Sequence, residues 1–79
     1  MTTTLVARTL DCSGLACPLP IVKTAQAMKQ LAPGELIEVL ATDKGAKVDF
    51  PAWSKATGNP IVEASEDGAT LRFVIRKKG

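Results

Sequence analysis

The run Gly14-Leu15-Ala16-Cys17-Pro18-Leu19-Pro20 decides how this chain is read. It leads into Ile21-Val22-Lys23-Thr24-Ala25, which has helical character. Proline is accepted in the first turn of a helix, where backbone N–H groups have no partner within the helix. With Cys17 as N-cap, Pro18 takes N1, proline's favoured position, and Pro20 takes N3. A residue before proline is pushed toward extended geometry, which suits Cys17 as a cap. The same rule acts against Leu19, so a slightly distorted first turn is expected. This placement sets a thiol at the positive end of a helix, where a negative group gains about 0.3–2 kcal/mol. A tenfold change in ionisation is worth about 1.4 kcal/mol, so the Cys17 thiol is expected below the ordinary thiol pKa. Neither proline has an N–H, which leaves the Leu19 amide as the nearest donor to the sulfur. The competing reading makes Cys17 a small buried hydrophobe; prolines that fix the helix start at the sulfur weigh against it.

Outward from this element, residues 4–10 alternate as a first strand, and Asp11-Cys12-Ser13-Gly14 has turn chemistry. The helix is predicted from Pro18 to about Ala32, with Ile21, Ala25, Met28 and Ala32 on one stripe and Val22 beside it. Lys23, Gln26, Lys29 and Gln30 fall on the other side, and Pro33-Gly34 ends it. Glu35 to Ala41 reads as a central strand, so strand, helix and strand imply a right-handed parallel crossover. A second helix is predicted over about 47–58, anchored by Val48, Trp53 and Ala56, with a break or late start near Phe50 because of Pro51. Gly58-Asn59-Pro60 closes it. Ile61 to Ser65 is a short strand, Glu66-Asp67-Gly68 a hairpin turn, and Ala69 to Arg76 the last strand. There Leu71, Phe73 and Ile75 face inward and Arg72, Val74 and Arg76 form a mostly polar face. The order β-α-β-α-β-β predicts an α/β (α+β) two-layer sandwich, a mixed four-stranded sheet with two helices on one face. One domain over 1–79 is expected. The cysteine then lies at the carboxyl end of a parallel strand, a usual place for a site.

A chain of 79 residues buries only about 60% of its extended-chain surface. Phe50, Trp53 and Phe73 are its only aromatics, so the core must be mostly aliphatic. A net charge of +2 does not by itself argue for nucleic acid. Two cysteines without a histidine are too few ligands for a structural zinc site, and no cofactor is implied. The missing histidine also removes Cys-His and Ser-His-Asp hydrolases. Met1 to Thr4 is polar, without a basic start and apolar run, and no stretch reaches transmembrane length. A cytoplasmic, reducing setting with no membrane partner is the expectation, in which cysteines are free or catalytic.

Leu10-Asp11, Gly14-Leu15, Cys17-Pro18-Leu19-Pro20, Pro33-Gly34-Glu35, Asp43, Asp49-Phe50-Pro51, Asp67-Gly68 and Ile75-Arg76-Lys77 resemble the TusA/SirA family of small sulfur carriers. The resemblance runs over residues 9–78 and centres on Cys-Pro-x-Pro. It implies a two-layer α/β sandwich like the C-terminal domain of translation initiation factor three. It further implies a sulfurtransferase-type carrier that holds sulfur as a covalent persulfide on Cys17, with Pro18, Leu19 and Pro20 as its supports. A cysteine desulfurase or rhodanese would donate the sulfur and a further protein accept it. Family routes lead to tRNA thiolation, molybdenum cofactor biosynthesis or sulfur oxidation. Two departures stand out. Several members have an acidic residue where this chain has Leu19, and its absence removes a like charge that would raise the thiol pKa. Cys12 is not required by the motif; it is either a small residue packed at a strand end or a resolving thiol for Cys17.

Lys23 and Lys29, on the exposed side of the helix, suit an acidic partner surface, although such lysines often only solvate a helix. Two other readings stay open. One is a dithiol pair of Cys12 and Cys17, whose spacing is not the thioredoxin Cys-x-x-Cys. The other is RNA binding by Arg72, Arg76, Lys77 and Lys78, for which the chain lacks a phosphate loop or an aromatic stacking surface, so no direct nucleic-acid contact is expected. A monomer making transient complexes suits a relay.

Overall fold

Parallel pairing of two strands across an intervening helix organises the computed structural model, which describes residues 6–16 and 18–78. The elements are β1 (Val6–Cys12), α1 (Leu19–Met28), β2 (Leu36–Ala41), α2 (Ala46–Thr57), β3 (Ile61–Asp67) and β4 (Thr70–Arg76). Strand order in the sheet is β1-β2-β4-β3, with β1 parallel to β2 and both other pairings antiparallel. The expected order and mixed sheet are present. Of the predicted first strand, Thr4 and Leu5 lie outside the described residues.

Alternation along β2 and β4 makes the covered face. Ile37, Val39, Ala41, Leu71, Phe73 and Ile75 are buried there with Cys12 of β1, under Ala27 and Met28 of α1 and Ala46 and Phe50 of α2. Both helices therefore lie on one face of the sheet, as the element order predicts. Phe50 stacks on Phe73 with ring centroids 4.7 Å apart and meets Trp53 edge-on at 6.3 Å.

The stripe that α1 buries shares Met28 with the predicted one, and Ile21 packs at its edge, but it runs through other residues. Pro20, Thr24, Ala27 and Met28 are buried, followed by Leu31 just past the helix, whereas Val22 and Ala32 are exposed and Ile21 and Ala25 half-buried. The sheet-facing row starts at Pro20 and passes through a threonine. Thr24 can be fully buried because its hydroxyl donates to the Pro20 carbonyl at 2.7 Å, a local bond that satisfies a polar group in the core. The helix also ends at Met28 rather than near Ala32. The chain turns there through Lys29, Gln30 and Leu31, whose amides donate to Gln26, Ala27 and Met28 three residues back.

Helix α2 runs without a break from Ala46 to Thr57, with Pro51 inside it. Pro51 and Lys47, whose carbonyl loses its helical donor, are both exposed, so water can take that carbonyl. Of its predicted anchors, Val48 is 72% exposed and Ala56 is exposed, while Trp53 is half-buried. Ala46 and Phe50, four residues apart, hold the helix down instead. Gly58 caps it in the left-handed conformation and donates to Ser54. In the β3–β4 hairpin Asp67 pairs with Thr70, and positive φ at Gly68 alone fits a two-residue type II′ turn.

The open face of the sheet is less polar than expected because Val74 is fully buried. Glu38 on β2 and Glu63 on β3 flank it in register, and Arg72 bridges both carboxylates. The ion pairs close over the valine. The hydrogen bond from Arg72, then that from Thr9, holds the Glu38 carboxyl below its ordinary pKa.

Two outcomes are expected. Phe50→Ala should cost about 3–5 kcal/mol, whereas Val48→Ala on the same helix should stay within about 0.5 kcal/mol; urea unfolding measures both. A depressed folded pKa makes the Glu38 contribution complete above the unfolded glutamate value of about 4.3, and it is lost as pH falls through the lower folded value. The urea midpoint of Arg72→Gln should therefore fall less steeply on acidification than that of the unmodified protein.

Candidate functional site

The carboxyl ends of β1 and β2 lie side by side, with Cys12 opposite Ala41. From there the chain leaves β1 in a tight turn. Asp11 Oδ1 accepts the Ser13 amide at 2.9 Å, and the Leu15 amide donates to the Cys12 carbonyl at 3.1 Å. Between them Gly14 adopts φ +81°, and a Cβ at this position would meet nothing within 4 Å, so the left-handed backbone rather than lack of space calls for glycine. The Gly14 amide donates to Thr42 Oγ1 at 2.8 Å, tying this turn to the residue that follows β2. The bonds from Ser13 hold the Asp11 carboxyl below its ordinary pKa.

Two buried anchors flank the next segment. Cys12 is fully buried and Leu15 packs against the core on one side, and Pro20 is fully buried on the other. Ala16, Pro18 and Leu19 between them are exposed. Cys17 itself lies outside the described residues. Its expected role as N-cap is corrected: the cap position belongs to Pro18, which makes no side-chain capping bond, and Pro20 falls within the first two helical positions. Leu19 is helical despite preceding a proline, because its amide and the Val22 amide close turns onto Ala16 (2.9 Å) and Pro18 (3.1 Å). The Leu19 amide, expected to serve the sulfur, is thus engaged by the Ala16 carbonyl.

Cys12 is a free, fully buried thiol. Burial pushes its pKa up, against a smaller lowering by Lys23 and with a further rise from Asp11. Lys23 and Lys29 are both exposed, Lys29 as the C-cap of α1. Leu19 and Val22, 47% and 44% exposed, stand three residues apart on one face of α1 and add apolar surface beside the exposed segment. No group of three or more potential metal-ligating side chains occurs among the described residues, and no helix among them is long and apolar enough to cross a membrane.

The family described as Sulfurtransferase TusA matches residues 8–77. The chain belongs to it. Over 70 residues it is 51% identical to the putative sulfur carrier protein YrkI of Bacillus subtilis, covering 89% of this chain and 93% of that protein. It is 43% identical over 68 residues to the sulfur carrier protein TusA of Allochromatium vinosum, covering 86% and 90%. A crystal structure of a SirA-like protein from Desulfitobacterium hafniense superposes with a TM-score of 0.78 at 20% identity, over 91% of this chain and 99% of that one, and shares the fold.

Sequence reasoning passed over Thr42, which fastens the turn of this TusA-family chain from outside. The available signal was its place just after the strand paired in parallel with β1. Thr42→Val should remove one bond worth about 1 kcal/mol and speed exchange of the Gly14 amide by about fivefold, read by hydrogen-exchange NMR.

Proposed function

We propose that this chain is a single-domain sulfur carrier that holds sulfane sulfur as a persulfide on Cys17. The observation that carries the reading is the exposed segment of Ala16, Pro18 and Leu19 between buried anchors at the ends of two parallel strands. A carrier must offer its nucleophile to two successive partner surfaces, and a short segment braced on both sides does so at little entropic cost. Membership of a family whose relatives are named sulfur carriers supports the same chemistry.

In the relay the Cys17 thiolate attacks the terminal sulfur of a donor persulfide. A new S–S bond forms, the donor's own thiolate leaves, and no external oxidant is consumed. Delivery repeats the exchange, with the acceptor nucleophile taking the terminal sulfur and Cys17 leaving as thiolate. A cysteine desulfurase or rhodanese fits the donor role. The acceptor would belong to tRNA thiolation, molybdenum cofactor synthesis or sulfur oxidation, in the cytoplasm and through transient complexes of a monomer. Leu19 and Val22, rimmed by Lys23 and Lys29, suit an apolar partner patch with an acidic border. A dithiol role for Cys12 is disfavoured by its burial, since the thiolate is the reactive form and burial suppresses it.

Incubation with a cysteine desulfurase and cysteine, followed by intact-mass and peptide analysis, tests the reading. One reducible added sulfur is expected on Cys17, absent from Cys17→Ser and retained by Cys12→Ala. Labelling confined to Cys12, or none in the unmodified protein, overturns it. Leu19→Glu should place a carboxylate beside the thiol and raise its pKa, displacing the pH profile of iodoacetamide alkylation to higher pH.

A further inference from the structure

A second cluster of polar groups lies away from the cysteine segment, in a groove between α1 and the edge strand β1. Arg8, Leu10, Lys23, Gln26, Ala27 and Gln30 line it, with a volume of about 180 Å³. Lys23 and Gln26, three residues apart, share a face of α1, and Gln30 follows in the turn that ends the helix. Arg8 comes from the helix-covered side of β1, its register partner being the core residue Ile37. The pairing of β1 with β2 is irregular between Val6 and Arg8, and such bulges commonly re-aim a side chain. Arg8 Nη1 donates to Gln30 Oε1 at 2.7 Å. That bond occupies the amide's oxygen and leaves its NH2 as the free polar group, while the guanidinium keeps further donors.

The groove therefore gathers two cations and two carboxamides and no acidic residue. Among the described residues every salt bridge found belongs to Lys47 or Arg72, so neither Arg8 nor Lys23 has an acidic partner among them. Cations beside donor amides suit an anion with several acceptor oxygens. The volume is near the roughly 150 Å³ that holds one benzene-sized molecule, too small for a nucleotide. We infer that Arg8, Lys23, Gln26 and Gln30 form a binding site for a small divalent oxyanion of sulfate or phosphate type, free in solution. The site would let an anion sit on the helix that begins beside Cys17, independently of sulfur loading.

Titration with sodium sulfate, and separately with inorganic phosphate, followed by NMR at constant ionic strength, tests this. Saturable shifts are expected in the Arg8 Nε–H and in the Gln26 and Gln30 side-chain NH2 signals. Arg8→Gln and Lys23→Gln should each weaken binding by about tenfold, the loss of one charge-assisted contact. Lys55→Gln, at an exposed lysine on α2, should leave binding unchanged. The inference is overturned if sodium chloride reproduces the shifts, if they fail to saturate, or if Lys55→Gln weakens binding as much as the groove variants. Because Cys17 takes no part in the readout, failure here leaves the carrier reading untouched.

Discussion

Burial of Pro20, with the Thr24 hydroxyl closing onto its carbonyl, is the contact on which the rest of the molecule depends. It seats the first turn of α1 against the sheet and so determines where the helix begins relative to the end of β1. A proline has no N–H to satisfy, and its carbonyl receives the one hydroxyl that would otherwise be stranded in the core. Ahead of it the chain turns, the Leu19 amide closing onto the Ala16 carbonyl. Ala16, Pro18 and Leu19 are exposed there, between half-buried Leu15 and buried Pro20.

The same geometry limits how a thiol here can be activated. The chain has no histidine, and two of the first residues of the helix region are prolines without N–H groups. The Leu19 amide is spent on the Ala16 carbonyl. Position 19 holds a leucine rather than a carboxylate, so no acidic side chain there opposes ionisation of a thiol in this segment. Cys12, the last residue of β1, is a buried thiol. Desolvation dominates there and raises the thiol pKa, as expected of a cysteine that serves packing.

The two faces of the sheet solve different problems. Helices cover one face with a mainly aliphatic core in which Phe50 and Phe73 stack. The other carries no helix among the described residues, yet Val74 is as buried as any core residue. Two glutamates in register beside it and one arginine make a polar lid whose charges stay near water, a cheaper arrangement than burying them. The aliphatic part of a long side chain can shield apolar surface in this way while its head remains solvated.

Much of this was readable from residues alone. Proline and glycine punctuation at Pro18, Pro20, Gly58 and Gly68, the apolar run of β2 and the period-two alternation of β4 determined the element order and hence the sandwich, since these signals act within a few residues of chain. Cys-Pro-Leu-Pro likewise marked the family and the candidate nucleophile. Which side of α1 faces the sheet was not decided there: Thr24 looks polar until the Pro20 carbonyl is placed beneath it, and Val22 looks apolar enough to be buried. Pro51 breaks a helix on local grounds, yet α2 is continuous across it, with Ala46 and Phe50 buried against the core. The burial of Val74 and the tie from Thr42 to Gly14 join residues on different strands or loops. Local chemistry specified which elements form and in what order; only packing between elements chose which faces meet, because that choice depends on contacts distant in sequence.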